Sequence, residues 1–226
     1  MYFCTVGKNK LKRFEENAAF ENLFQPAVGF PPPDFKFKGQ WRSLYFKNNN
    51  PIVLELGCGR AEYTIGLAAM HPQCNYIGID IKGARMWRGA KTALENGWKH
   101  VAFVRTQMHF IEKYFAPNEV SEIWITFPDP QPQESRARKR LTAPNYLNYY
   151  KNICAPDAIL HLKTDNKPLY DYTLETLPLN GFKIIDHQYD IYAKEKLKPE
   201  LTIKTTYEQL FEAKGEKICY IKFGLA

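Results

Sequence analysis

The chain has 226 residues and only five cysteines, at positions 4, 58, 74, 154 and 219. The count is odd and no pair shows CxxC spacing, which argues against a disulfide framework or a cysteine zinc module and fits a reducing cytoplasm. The five histidines (71, 100, 109, 161 and 187) form no HExxH or similar spacing, so no metal site is expected. No apolar run approaches the length of a membrane span, and the opening MYFCTVGKNKLKR holds too short an apolar run for a signal peptide. Internal repeats are lacking as well.

What is present points to a globular chain. Hydrophobic residues make up 45% and aromatics 15%, enough to build a large core within one α/β domain carrying extensions. The formal net charge of +7 is compatible with a nucleic-acid partner without requiring one.

Residues 1–50 read as an N-terminal extension packing on or beside a core domain, 51–226. Within it, Lys8–Phe24 looks helical, with Leu11, Phe14, Ala18, Leu23 and Phe24 at roughly helical spacing. Pro31-Pro32-Pro33 forms a stiff spacer, and Asn48–Pro51 a turn. From Ile52 short apolar strands alternate with helices. Strands are expected at 52–56, 76–79, 101–105, 122–127 and 158–162, and helices at 61–70, 82–96, 109–115, 144–153 and 167–177. A strand at 182–189, a short helix at 206–212 and a strand at 217–223 follow. The final pair lacks a long crossover helix, so an antiparallel closing strand is expected. The pattern predicts a doubly wound, mostly parallel seven-stranded sheet with ligands at the C-terminal ends of its strands.

The first of those strand ends carries Glu55-Leu56-Gly57-Cys58-Gly59-Arg60-Ala61. Gly57 and Gly59 let the backbone pass close to a ligand at a helix N-terminus. A dinucleotide fingerprint would need GxGxxG, but Glu62 stands three residues past Gly59. An acid two residues before the first glycine is instead typical of S-adenosylmethionine sites, where Glu55 would face the cationic methionine end. Asp80, ending the second strand, can accept both hydroxyls of an adenosine ribose. Gln107, after the third strand, could hydrogen-bond an adenine amino group. A plain tight turn with Asp80 as a helix cap, and a solvated turn at Gln107, are the alternatives.

The strand at 122–127 ends in Thr126-Phe127-Pro128-Asp129-Pro130, and a basic arm follows with Arg136, Arg138, Lys139 and Arg140. The prolines limit the freedom of Asp129; Pro-Asp-Pro is also good turn chemistry. The arm could equally be a solvated charge run. Lys8, Lys10, Lys12 and Arg13 could add to an RNA surface or merely solvate a helix.

FPDP followed by RARKRL (Arg136–Leu141) resembles the FPDP…R-x-x-KRR signature of bacterial tRNA (guanine-N7)-methyltransferases. Glu55–Gly59, Gly78-Ile79-Asp80, LKTD (Leu162–Asp165) and Thr205-Thr206-Tyr207-Glu208 fall in the same order as in that family, and the likeness spans about Leu11 to Phe223. The resemblance implies a Rossmann-like class I methyltransferase fold, S-adenosyl-L-methionine as cofactor, tRNA as partner, and methyl transfer to N7 of guanine 46 in the variable loop by a cytoplasmic monomer or homodimer. It implies a catalytic Asp129. Glu55, Gly57, Gly59, Asp80, Gln107 and Asp129 would bind the cofactor, and Gln133, Asp165, Thr205 and Glu208 the substrate. Arg136, Arg138, Lys139 and Arg140 would hold tRNA phosphates. Three positions depart from the family pattern. Gln131-Pro132-Gln133 replaces a PWPK-like run, Gln107 an acid, and Ala61 the third glycine.

The chemistry suits these residues. Guanine N7 carries no proton, so its alkylation needs alignment rather than a general base, and acids near the acceptor stabilise the positive charge that develops there. Asp165 could instead be the N-cap of the helix at 167, and Glu208 a surface helix residue. Another nucleobase or protein-amide methyltransferase would show an NPPY-like run where Asp129 stands. A non-catalytic tRNA-binding protein on the same fold draws support only from Gln107 and Gln133.

Overall fold

A computed structural model of the chain describes residues 6–26, 32–193 and 195–226. Cys4, Pro31 and the side chain of Lys8, all named above, lie outside the described part. No described helix is long and apolar enough to cross a membrane.

The centre is four parallel strands whose residues are almost all buried: β2 (Ile52–Leu56), β3 (Asn75–Asp80), β4 (Val101–Arg105) and β5 (Val120–Thr126). Continuous apolar strands need cover on both faces, and alternate side chains supply two cores. Ile52, Leu54, Leu56, Ile77 and Ile79 point to one face, against α4 (Pro144–Ile153) and α5 (Lys167–Leu179). Val53, Tyr76, Phe103 and Trp124 point to the other, against α2 (Glu62–Met70) and α3 (Gly83–Glu95). The eleven-residue β6 (Cys154–Thr164) continues the parallel set beyond β5. β7 (Phe182–Gln188) and β8 (Cys219–Leu225) complete it, with β8 inserted antiparallel between β6 and β7.

The predicted seven strands are present, and an eighth joins them from the extension. β1 (Leu23–Phe24) pairs in parallel with β4, giving the order β1-β4-β3-β2-β5-β6-β8-β7. The N-terminal helix, α1 (Val6–Ala19), stops short of the predicted Phe24. Asn22 redirects the chain: its side-chain amide donates to the Ala90 carbonyl at 3.0 Å, and its backbone carbonyl accepts from the Phe103 N–H at 2.7 Å. A two-residue strand has no period to read, and Leu11, assigned to the apolar stripe, is 68% exposed. A π-helical turn at Trp41–Phe46 was likewise without a sequence signal.

The chain runs outward from β2 through β3 to β4 and then returns to β5 on the other side of β2. The switch point therefore opens above the adjoining ends of β2 and β5, where an open α/β sheet holds its ligands. Besides β1, a carboxylate ties the segment before β2 to the sheet. Glu119, 5% exposed just before β5, accepts from the N–H groups of Gly39 (2.8 Å), Trp41 (3.2 Å) and Ala116 (2.8 Å). Trp41, fully buried, adds its indole N–H to the Tyr114 carbonyl at 2.9 Å and stacks on Phe115. Glu119→Ala removes the acceptor of all three N–H groups, of which that of Trp41 is buried, and is expected to cost about 1–3 kcal/mol, read as a lower urea midpoint at unchanged m-value.

Candidate active site

The turn after β2 is left-handed at three places: Gly57 (φ +74°), Gly59 (φ +55°) and Ala61 (φ +61°). The first two are glycines, as such a path favours. Ala61 takes the third at a steric cost, and Gly89 of α3 makes room for its methyl group. A side-chain carbon built on Gly89 would lie 2.4 Å from the Ala61 Cβ. The departure of Ala61 from the family pattern thus has a local accommodation. The turn is anchored by the N–H groups of Gly57 and Cys58, which both donate to the Ile79 carbonyl (2.8 and 3.0 Å). Above it is free space: a carbon added to Gly57 would meet nothing within 4 Å.

Two acids attend this turn. Asp80, at the end of β3, accepts from the Gly59 N–H at 2.9 Å and from the Lys82 N–H at 2.7 Å, so it braces the turn and the link into α3; it is not the helix cap, since Lys82 holds that position without a side-chain capping bond. Glu55 is 3% exposed and faces inward. One oxygen accepts from the Thr64 N–H (2.8 Å) and from the Thr64 hydroxyl; the other accepts from the Thr126 hydroxyl at 2.8 Å. Burial pushes its carboxyl up to about 7, against the opposing pull of the Thr64 and Thr126 donors. Glu55 therefore ties β2, the first helical turn of α2 and the end of β5 together. Gln107 is exposed in the loop after β4, at the head of a 3₁₀ turn (Met108–Lys113), with no capping bond from its side chain.

At the end of β5 the Pro128-Asp129-Pro130 run is bracketed by two non-glycine residues in left-handed conformation, Phe127 (φ +47°) and Gln131 (φ +45°). Each such residue stores roughly 1 kcal/mol or more of strain, persisting because the surroundings impose it. The Phe127 N–H bonded to the Lys163 carbonyl at 2.8 Å supplies part of that constraint. Asp129 is exposed and accepts from the Gln131 N–H at 3.1 Å, so the turn chemistry and the presentation of a carboxylate are both realised.

The basic arm folds as a 3₁₀ turn, Glu134–Lys139, with Gln133, Arg136, Arg138 and Lys139 exposed. Arg140 departs from the expected role. It is 8% exposed, donates to the Gln131 carbonyl at 3.3 Å, pairs with Glu134 at 3.4 Å and lies over the Tyr172 ring at 4.4 Å. Its aliphatic stem and planar head suit it to fasten the loop onto α5, and it is withdrawn from the phosphate-contacting set.

The substrate-side residues divide. Asp165 stands at the C-terminal end of β6, half-buried, with its carboxyl raised by burial and by Glu216 against the pull of a backbone hydrogen bond. It is not the helix cap; Asn166 is, accepting from the Leu169 N–H at 2.9 Å. Asp165 lines a cavity of about 470 Å³ with Lys167, Tyr189, Glu216 and Lys217. Glu208, in contrast, is fully buried in α6 (Thr206–Glu212). It pairs with Lys163 of β6 at 2.8 Å and accepts from the Tyr192 hydroxyl at 2.7 Å. Thr205, also buried, is the N-cap of α6 and accepts from the Glu208 N–H at 3.1 Å. Both are spent on internal structure here, which corrects their placement among substrate ligands. The neighbours between them face the cleft side: Thr206 donates to Glu62 in the first turn of α2, and Arg85 of α3 donates to the Tyr207 hydroxyl at 2.9 Å.

Lys163 is the participant that sequence reasoning missed. Fully buried, it also donates to the Leu201 and Ile203 carbonyls at 2.9 and 3.1 Å; burial pulls its ammonium pKa down and Glu208 pushes it back. A lysine closing the apolar run ILHLK was a legible signal, since a buried ammonium needs a buried acid.

A mostly parallel sheet with an open glycine turn, an acid at the end of β3 and a carboxylate at the switch point define an α/β methyltransferase. The family model described as "Putative methyltransferase" matches residues 49–221. A tRNA (guanine-N(7)-)-methyltransferase of Christiangramia forsetii is 53% identical, covering 96% of this chain and 98% of its own length. Another, of Cytophaga hutchinsonii, is 45% identical with the same coverage. Among solved structures, a 16S rRNA methyltransferase, KamB, superposes with a TM-score of 0.66 at 14% identity over 90% of this chain and all of its own. At that identity it shows the fold alone. The chain belongs to the tRNA (guanine-N(7)-)-methyltransferase family, whose cofactor is S-adenosylmethionine. The open turn, and donors and acids rather than a pyrophosphate fingerprint around it, fit that group.

Lys163→Met strands the Glu208 carboxylate in the core and is expected to destabilise the fold by about 3–5 kcal/mol. The double variant Lys163→Met/Glu208→Gln should recover part of that loss. Thermal and urea unfolding of the three proteins measure both differences.

Proposed function

We propose that the chain transfers the methyl group of S-adenosylmethionine to N7 of a guanine in tRNA, position 46 of the variable loop. The observation that carries this reading is the exposed Asp129, held on a strained turn at the switch point between the glycine turn and the exposed cations of the arm. The bound cofactor supplies an electrophilic methyl group on a sulfonium. Gly57 and Gly59 leave it room, Asp80 is the acceptor for ribose hydroxyls, and Gln107 can contact the adenine. Glu55, when ionised, attracts the cationic methionine end.

The acceptor nitrogen has a free lone pair, so no side chain need remove a proton. The residues have to orient the purine and favour positive charge as it moves onto the ring. Asp129 is offered for that charge. Asp165, with Gln133 after the adjacent strand, is the remaining acid for the guanine N1–H and exocyclic amine. Arg136, Arg138 and Lys139 meet backbone phosphates, the part of a nucleic-acid interface that positions rather than specifies. The same reading puts the enzyme in the cytoplasm, as a monomer or homodimer, with residues 51–226 as the methyltransferase domain and 1–50 as an extension upon it.

Tritiated methyl transfer to unmodified tRNA, followed by borohydride–aniline cleavage, should label the tRNA and cut it at the variable-loop guanine; label without that cut rules the reading out. In the same assay Asp129→Ala should lower turnover by about 10²–10³-fold while the melting temperature stays near that of the wild type.

A second outcome follows from Glu55. Its folded-state carboxyl titrates at about 7. A cation binds the ionised form alone, so affinity for the cofactor rises as pH increases through that value and falls below it. Calorimetric titration with S-adenosylhomocysteine should show a rise of about tenfold between about pH 6 and about pH 8, flattened in Glu55→Gln.

A further inference from the structure

Away from the strand ends, the N-terminal helix carries a second concentration of positive charge. α1 lies on α3, joined by the Asn17 amide donating to the Gly83 carbonyl at 2.9 Å and the Trp87 indole donating to Glu16 at 2.5 Å. Together the two helices hold seven basic residues against three acidic ones. Three of the cations converge on one ring. The Arg13 guanidinium and the Lys91 ammonium each lie 5.0 Å from the Trp87 centroid, and the Arg88 guanidinium 5.9 Å. Glu16, the nearby acid, is already engaged by the indole and approached by Lys12 at 3.9 Å. Arg13 and Arg88 are exposed, as are Lys10, Lys82 and Arg85 on the same pair of helices and the residue leading into them.

Lys91 stands four residues after Trp87 and three after Arg88, so its spacing on α3 makes it a neighbour of both. Crowding like charges around a ring costs energy in isolation, which cation–π contact offsets only in part at an exposed site. A polyanion neutralises the crowd, and an aromatic beside guanidinium groups is also a surface on which an unstacked base rests. The position is suitable. α3 begins just after Asp80, and α1–α3 flank β3 and β4, whereas the arm follows β5; the two basic regions thus lie on opposite sides of the switch point.

We propose that the Arg13–Trp87–Arg88–Lys91 cluster is a second contact for the tRNA backbone, so that one tRNA is gripped on both sides of the methyl-transfer site. This rests on the tRNA-methylating reading above.

The test compares wild type, Arg88→Glu/Lys91→Glu and the arm variant Arg138→Glu/Lys139→Glu by filter binding to unmodified tRNA over a salt series. S-adenosylhomocysteine affinity and melting temperature serve as controls. The α3 variant should bind tRNA at least tenfold more weakly and retain cofactor affinity. Its log–log salt slope should be shallower by about 0.7–0.9 for each phosphate that the variant no longer neutralises. Should charge reversal disturb folding, Arg88→Gln/Lys91→Gln gives the same readout with packing kept, the slope change remaining. Wild-type affinity and slope in the α3 variant, alongside weakened binding in the arm variant, overturns the proposal. If wild type binds tRNA with a slope that the α3 variant reduces, yet makes no N7-methylguanosine, the contact stands and the assignment of activity fails.

Discussion

The buried pair of Lys163 and Glu208 is the contact on which the cleft side of the molecule depends. Lys163 belongs to β6, in the sheet; Glu208 and the carbonyls of Leu201 and Ile203 belong to the long connection between β7 and β8. With the ammonium surrounded by acceptors, that connection is pinned at three places to one atom. Desolvating both charges is expensive, and an apolar pair of equal volume would often be as stable. What the pair gives in return is register. Because Glu208 is drawn inward, Thr206 and Tyr207 are turned outward onto the first turns of α2 and α3, beside the glycine turn.

A similar exchange of stability for geometry is visible in the backbone. Ala61, Phe127 and Gln131 all sit in the left-handed region without being glycines, and all three flank the switch point. None is held by its own preference. Ala61 is accommodated by the bare Gly89, and Phe127 is tied to β6 through the Lys163 carbonyl. Gln131 is fastened through its carbonyl by Arg140, whose guanidinium lies on Tyr172 of α5. The inward turn of Arg140 is therefore part of how Asp129 is presented, although its sequence context is that of a phosphate-binding run.

This marks where sequence reasoning succeeds and where it stops. The alternation of apolar strands and helices was legible because burial on both faces leaves a continuous apolar signature, and the antiparallel closing strand followed from a missing crossover. Asp80, Asp129 and Asp165 stand, as read, at or just after the C-terminal ends of β3, β5 and β6. The direction of each side chain was not legible. TTYE and RARKR look like polar surface by composition, yet Glu208 and Arg140 are buried because partners far along the chain, Lys163 and Tyr172, receive them. Glu119 went unnoticed for the same reason, as its three donors come from residues on both sides of it in space and far from it in part of the sequence. β1 was missed because two residues hold no period and only the open edge of β4 makes them a strand.

The two acids nearest the switch point show how one residue type takes different roles. Glu55 and Asp129 end adjacent parallel strands or follow them, and Thr126 links the first to the strand that presents the second. Glu55 is dry, held by two hydroxyls and a backbone N–H, and its proton affinity is raised by burial. On the proposed reading, an arriving cation would favour its ionised form and so couple its charge to occupancy of the turn. Asp129 is exposed and accepts from the Gln131 N–H, which on the proposed reading leaves it free to approach an acceptor base. On that reading, interchanging the two environments would leave a solvated acid at the turn and a buried one facing the purine, a poor match for a reaction that needs charge stabilisation at the acceptor and no proton transfer. The Thr126 hydroxyl ties the end of β5 to Glu55, and on the same reading it joins the donor and acceptor sides of the site.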